Sequence, residues 1–324
     1  MDFVKPNIVV SKCLGFEKCR FNGQVLHSDF IEHFKNFMNI YTVCPEVEIG
    51  LGIPRNPIRI IKEDNQNKLV DSETGEEHTN KMNDFSKKYL DSLENIDGFI
   101  LKNRSPSCGV NDVRIYKTHG EYYTFNEKTS GFFAKNAMEK FPNLAFEDDG
   151  RLMNFRIRKN FLIQIYTLSK FRKISEEMKI DDLIKFHSSN KYLFMAYNQK
   201  ILNKLGNILA NHKKLPVETI YTKYKETMSG LFENFRTEGM NINAFMHIFG
   251  YFSKLITKKE KDFFLEKLDA YKNNLVPAIV PIAILESWVI RFDITYLKTQ
   301  TILNPYPDNL MNVTDSGKGR EFNK

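Results

Sequence analysis

The spacing of apolar residues changes character once along this 324-residue chain, and that change limits the folds open to it. Up to about residue 160, short apolar runs alternate with helical patterns; beyond it, helical spacing continues almost unbroken. Asn7-Ile8-Val9-Val10-Ser11 reads as a strand stopping just before Cys13, and Tyr41-Thr42-Val43 as a second one ending at Cys44. Gly98-Phe99-Ile100-Leu101 is a third, running into the segment that holds Cys108. Helices are predicted over 28–38, with Ser28 as N-cap, and over 83–93. The polar, turn-rich stretch 62–83 reads as a surface excursion. Past Asn160 the pattern predicts helices over 161–171, 181–196, 199–211, 217–235, 242–255, 258–273 and 281–300, with Asp181 and Thr257 as starting caps. The expected architecture is an α/β domain over 1–165, an open and mostly parallel sheet with flanking helices. An all-α helical bundle over 166–310 and a flexible tail over 311–324 follow.

All four cysteines lie in the first third of the chain, and three follow a predicted strand end beside glycine or proline. Loops at the carboxyl ends of parallel strands gather on one edge of the sheet, so Cys13, Cys44 and Cys108 can converge from distant segments. No C-x-x-C pair exists, which disfavours a zinc ribbon or a ferredoxin-type run. A single cysteine is more often a small buried hydrophobe than a ligand, but three at strand ends favour a thiolate site of some metal. Cys19 lies mid-segment and reads as a structural or spare thiol.

Residues 1–150 carry 19 Lys and Arg against 23 Asp and Glu, whereas 151–324 carry 28 against 17, a balance of −4 against +11. Within 151–173, Arg151, Arg156, Arg158, Lys159, Lys170, Arg172 and Lys173 occur with no acidic residue. A basic helical half beside a cysteine-bearing one suits a polyanionic partner; a lysine-rich proteome is the plainer explanation. The longest apolar run, 276–285, is about half a membrane span and holds two prolines, so no membrane partner is expected. The first residues lack the long apolar region of a signal peptide, and a cytoplasmic location is expected. No obligate protein partner is implied.

Three segments, SKCLGFEKCRFNG, CPEVEIGLGIPR and LKNRSPSCG, resemble in order the signature segments of the thiouracil desulfurase (TudS) family, over about residues 5–165. Segment 183–191, the run MHIFGYFSK, and the stretch from Trp288 through Arg291, Tyr296 and Gln300 to Pro307 are similar to the YbgA family. Chains joining both domains resemble the RudS type of desulfidase. That resemblance implies a 4Fe-4S cluster on Cys13, Cys44 and Cys108, with one iron not ligated by protein. It implies removal of sulfur from 4-thiouridine, in tRNA or as the nucleotide. Phe21-Asn22 departs from the tyrosine-aspartate common in the family, which puts the role of Asn22 in question.

An open iron is a soft acid and a thiocarbonyl sulfur a soft base, and water can then attack the adjacent ring carbon without net redox change. Glu46, two residues after Cys44, is the best-placed general base, or else a loop-bracing glutamate. One of Ser105 and Ser107 could orient the base or protonate the departing sulfur while the other braces the turn, and Ser11 shares that ambiguity. Arg20, Arg55 and Arg104 are candidates for nucleotide phosphate, or loop braces. The basic cluster of 151–173 would contact RNA backbone. His187 and His247 sit in apolar helical runs and read as core or interhelical histidines. Rival functions are salvage of free 4-thio-UMP or thiouracil, a tRNA sulfurtransferase, and a non-catalytic RNA-binding protein. No G-x-x-x-x-G-K-[ST] phosphate loop is present for ATP-driven sulfur insertion.

Overall fold

The computed structural model describes residues 3–27, 29–120, 122–233 and 236–311. The predicted cap at Ser28, the predicted helix end at Phe235 and the tail from residue 312 onward lie outside them. The described residues divide into two compact units, one holding those up to Lys170 together with those from Asp308 on, the other Phe171–Pro307.

The first unit is α/β. Its elements are β1 (Asn7–Ser11), α1 (Asp29–Phe34), β2 (Asn39–Val43), α2 (Pro45–Glu48), β3 (Ile58–Glu63), β4 (Gln66–Asp71), α3 (Thr79–Asp91), β5 (Gly98–Leu101), β6 (Val113–Tyr116), β7 (Thr124–Thr129), α4 (Phe132–Lys140) and β8 (Ala145–Asp148). A fifth helix, α5 (Phe155–Ser175), includes the boundary between the units. One sheet has the order β2-β1-β5-β8 with every pairing parallel, Ile8 opposing Ile40 and Gly98, and Gly98 opposing Ala145. Both central strands, β1 and β5, are buried at every residue, as parallel strands covered on both faces must be. On one face, Val9, Phe99 and Leu101 pack with Met82, Leu90, Phe133 and Ala137 of α3 and α4.

The stretch 62–83 is not a surface excursion. It contributes the end of β3, all of β4 and the start of α3, and β3 and β4 form a hairpin within a second sheet of order β4-β3-β6-β7. Asp64 and Asn65 turn the hairpin with positive φ of 49° and 60°, a conformation both residues tolerate better than most. Ile58, Ile60 and Leu69 bury the inner face of the hairpin, while the charged residues on its other face hid the strand pattern from composition.

The second unit is helical: α6 (Ile180–Tyr197), α7 (Gln199–Ala210), α8 (Val217–Ser229), α9 (Glu238–Phe249), α10 (Lys258–Lys272), α11 (Ile279–Arg291) and α12 (Thr295–Lys298). Aromatic packing fills its core, Trp288 standing 5.5 Å from Phe252 and 5.4 Å from Phe264 between ring centroids. His187 is interhelical as expected, its Nδ1 3.0 Å from the Tyr224 hydroxyl. His247 is not a core residue: it is exposed on α9, one position off the buried face formed by Ala244, Phe245 and Ile248. Asp181 lies inside the first turn of α6, where it complements the helix dipole, and does not cap it.

Thr257 caps α10 in a capping box, its hydroxyl accepting the Glu260 amide at 3.3 Å while the Glu260 carboxylate accepts the Thr257 amide at 2.7 Å. Thr257→Ala is expected to lower stability by about 1 kcal/mol. A shift in the urea midpoint at constant slope measures it; an unshifted midpoint would show the cap to be energetically idle.

Candidate active site

The chain steps outward from β1 to β2, then returns past β1 to β5, so the crossover direction reverses at β1. In open α/β sheets the crevice at such a reversal, beyond the carboxyl ends of the strands, is where ligands bind. A cavity of about 370 Å³ lies there, lined by Ser11 at the end of β1 and Cys13 just after it, Cys44 and Glu46 after β2, and Lys102 to Pro106 and Cys108 after β5. Cys19, Arg20, Arg55 and Arg104 complete much of its wall.

The loop carrying Cys108 is clamped from two sides. The Ser105 hydroxyl accepts the amides of Ser107 and Cys108 at 3.2 and 3.1 Å, closing the turn. Amides at the start of α4, which lack partners in their own helix, donate instead to the loop, Phe132 to the Pro106 carbonyl and Ala134 to that of Ser107. Gly131 permits this approach, because a Cβ there would stand 2.5 Å from the Ser107 carbonyl. The Ser11 hydroxyl accepts the Lys102 amide at 2.9 Å, tying the loops after β1 and β5.

Glu46 sits in the first turn of α2, directly after Cys44 at the helix N-cap. Its Oε2 accepts from Arg55 Nε at 3.1 Å and Nη2 at 2.6 Å, and its Oε1 accepts the Ser107 hydroxyl at 3.0 Å. The side chains of Arg55 and Glu46 are only 8% and 14% exposed. Arg55 also donates to the carbonyls of Gly52 and Cys19, each at 3.1 Å. It is therefore not an open fork for phosphate, as the sequence allows, but a brace holding Glu46 and two loops together. Ser107 is fully buried and reaches Glu46 rather than the cavity, which separates its role from that of Ser105.

Cys19 is not a remote spare thiol. It is 1% exposed, lines the cavity, and is hydrogen-bonded to the sulfurs of Cys13 and Cys44. The bond to Cys13, together with burial, pushes its pKa up to about 11 against the opposing effect of the bond to Cys44. Cys44 is pushed far up by the bond to Cys19 and by burial. Burial does the same to Cys108, opposed by hydrogen bonds from Ser11 and Ser105. As thiols these groups therefore stay protonated at neutral pH, and a bound metal would have to displace the protons.

Of the other expected site residues, Arg20 lies at the cavity wall with its guanidinium 5.5 Å from the Phe21 ring centre. Arg104 is 71% exposed, 3.4 Å from Asp112, with a positive φ of 57°. Asn22 is exposed, outside the cavity lining, and bonded to Gln24. Lys102, not anticipated from sequence, lines the cavity while its ammonium pairs with Asp149 at 2.7 Å. Its only sequence signal was the position directly after β5, since Asp149 is 47 residues away.

The basic cluster of 151–173 does not form one open surface. Arg158 is fully buried and donates to the Leu152 carbonyl at 3.0 Å, so it cannot meet a phosphate from solvent. Arg151 pairs with Glu147 at 2.7 Å, Lys173 pairs with Glu176 at 2.7 Å, and Lys170 is half-buried, which pulls its pKa down. The helical periodicity of α5 accounts for most of this, because the six of these cations that lie on it, from Arg156 to Lys173, are spread around the helix.

Comparison with known proteins bears directly on this cavity. Residues 8–149 match the family described as 2-thiouracil desulfurase, and residues 191–307 match DUF1722, a family described as of unknown function. The protein YbbK of Bacillus subtilis strain 168 is 33% identical over 109 residues, 32% of this chain and 72% of that protein. The chain belongs to the 2-thiouracil desulfurase family. YbgA of Escherichia coli strain K12 is 24% identical over 164 residues, 50% of this chain and 96% of YbgA, so the family resemblance read from the motifs holds for both parts. A solved [4Fe-4S]-dependent thiouracil desulfidase, TudS, is 24% identical with a TM-score of 0.37, covering 46% of this chain and 93% of that one. No helix among the described residues is long and apolar enough to cross a membrane.

Two outcomes follow. In the metal-free protein, the stability contributed by the neutral Cys19 thiol is fully present below pH 9, its usual pKa being 9.0, and is lost as pH rises toward 11. The fall in denaturation midpoint across that window should be smaller in Cys19→Ala than in the wild type; equal falls would remove Cys19 as a contributor. Gly131→Ala should cost about 1–3 kcal/mol by overpacking against the Ser107 carbonyl, read by thermal unfolding.

Proposed function

We propose that this chain is an iron-sulfur-dependent desulfidase that replaces the sulfur of a thiolated uracil with oxygen, acting on 4-thiouridine in tRNA. The carrying observation is that cysteines from three strand-end loops and one oriented carboxylate line a single cavity, in a domain of the 2-thiouracil desulfurase family. Among the described residues, no three His, Cys, Asp or Glu side chains are arranged to hold one metal ion as they stand. A cluster of several irons takes each cysteine on a different iron, so the sulfurs must ring a space and need not meet at a point. Thiols from three loops, with Ser11 and Ser105 donating to the Cys108 sulfur, suit that donor set.

Cys13, Cys44 and Cys108 are assigned as the residues that would hold a 4Fe-4S cluster. When bound, the cluster supplies a soft Lewis acid for the thiocarbonyl sulfur through an iron without a protein ligand. Glu46 takes a proton from the attacking water as its oxygen bonds to the ring carbon, and the carbon-sulfur bond breaks to release hydrosulfide. Water is consumed and no electrons are exchanged. Arg55 and Ser107 fix the direction of the Glu46 carboxylate. Arg20 and Arg104, on the cavity wall, are assigned to the nucleotide phosphate. A cavity of about 370 Å³ suits a base with part of its sugar, so the rest of a tRNA must be held outside it.

Anaerobic reconstitution followed by loss of near-ultraviolet absorbance from thiolated tRNA tests the reading. Glu46→Gln should load iron normally yet lose about 10²–10⁴-fold in turnover, and Cys108→Ala should lose iron. Turnover of free 4-thio-UMP or thiouracil without turnover of tRNA would move the substrate to the free nucleotide or base. Undiminished turnover in Glu46→Gln would remove it as the base.

A further inference from the structure

All four cysteines of the chain line one cavity. A 4Fe-4S cluster has four irons, and Cys13, Cys44 and Cys108 account for three of them. Cys19 is the thiol left over. It is buried, as a packing cysteine would be, but its sulfur is hydrogen-bonded to those of Cys13 and Cys44, so it belongs to the same group of soft donors.

The backbone between them returns Cys19 to Cys13. The amides of Phe16 and Glu17 both donate to the Lys12 carbonyl, at 3.3 and 3.0 Å, and Gly15 makes the turn with a φ of 85°. The Leu26 amide donates to the Cys13 carbonyl at 2.9 Å, holding the far side of the same loop. The Cys19 carbonyl is itself held, accepting Arg55 Nη2 at 3.1 Å and the Cys44 thiol at 3.7 Å. That Arg55 nitrogen also donates to Glu46 Oε2, at 2.6 Å. The Cys19 backbone and the Glu46 carboxylate are therefore bound to one nitrogen atom, which makes the fourth thiol and the base neighbours in the cavity wall.

The thiocarbonyl sulfur must take the iron beside the base, because water attacks the carbon bonded to that sulfur. Until it arrives, a soft iron takes the nearest soft donor, and a thiol tethered in the wall competes at an effective concentration on the order of millimolar or more. We propose that Cys19 is the fourth ligand of the cluster before substrate enters, and that the thiocarbonyl sulfur displaces it. This rests on the cluster reading above and adds to it the residue that holds the substrate's place. In the exchange the bond from iron to the Cys19 sulfur breaks and the bond from iron to the thiocarbonyl sulfur forms. The released thiolate takes a proton from solvent and gives it up when the product leaves; no electrons move. A carbonyl oxygen is too hard a donor to displace a thiolate from iron, so Cys19 also rejects the oxo base and favours release of the product.

Mössbauer spectra of the anaerobically loaded full chain read the ligands of each iron directly. In the wild type all irons should show thiolate ligation, whereas in Cys19→Ala one iron should stand apart. Thiolated tRNA frozen on mixing should make one iron of the wild type distinct, and unthiolated tRNA should not. Under mild ferricyanide oxidation, Cys19→Ala should lose one iron to a 3Fe-4S cluster, read by electron paramagnetic resonance, at least about tenfold faster than the wild type. A fourth iron already distinct in the wild type before substrate is added would overturn the proposal. Equal rates of iron loss would do so too, as would a wild-type spectrum that thiolated tRNA leaves unchanged. Should Cys19→Ala fail to fold, the wild-type spectra with and without thiolated tRNA decide alone. A wild type that loads no iron would defeat the cluster reading itself, whereas a loaded cluster with a distinct fourth iron would remove only the role of Cys19.

Discussion

The parallel pairing of β1 with both β2 and β5 is the constraint on which the cavity depends. Three parallel strands must end on the same edge, so Cys13, Cys44 and Cys108 are carried to one place although 95 residues separate the first from the last. The bond from the Lys102 amide to the Ser11 hydroxyl then sets how the loops after β1 and β5 approach each other. A slip of either strand by one residue would reverse the faces of its side chains and part the two loops.

Around that edge, folding and chemistry use the same groups. Arg55 holds Glu46 and the carbonyls of Cys19 and Gly52, so it joins the segments after β1 and β2 while it aims the carboxylate. Removing one partner of so enclosed a pair costs about 3–5 kcal/mol, because the other charge is left without compensation. The Ser107 hydroxyl brings the third loop into the same network. A carboxylate held by three such bonds and only 14% exposed is fixed in direction.

Charge is distributed by a different rule. In α5 the cations are spread around the helix, so Arg158 is buried and Lys173 is paired, and net charge there says little about a partner. In α6 the acids Asp181 and Asp182 are confined to the first turn, α7 has none, and the lysines of both helices stay in water. The two stretches therefore differ in how many of their cations reach water, because Arg158 is buried and Lys170 half-buried.

The sequence by itself determined the strands at Asn7–Ser11 and Gly98–Leu101, the helical second half, and the family through its three cysteine segments. Short apolar runs bounded by turn residues, helical periodicity and motif chemistry are local properties that composition and spacing carry. The β3–β4 hairpin escaped notice because its outer face is charged and its turn is Asp-Asn without glycine. Only the tertiary structure decided that Cys19 joins the thiols, that Arg55 braces Glu46, that Arg158 is buried and that His247 is exposed. Each depends on which partner arrives from elsewhere in the chain, or on a single position around a helix. Contacts of that kind are set when the elements pack, and no spacing along the chain records them.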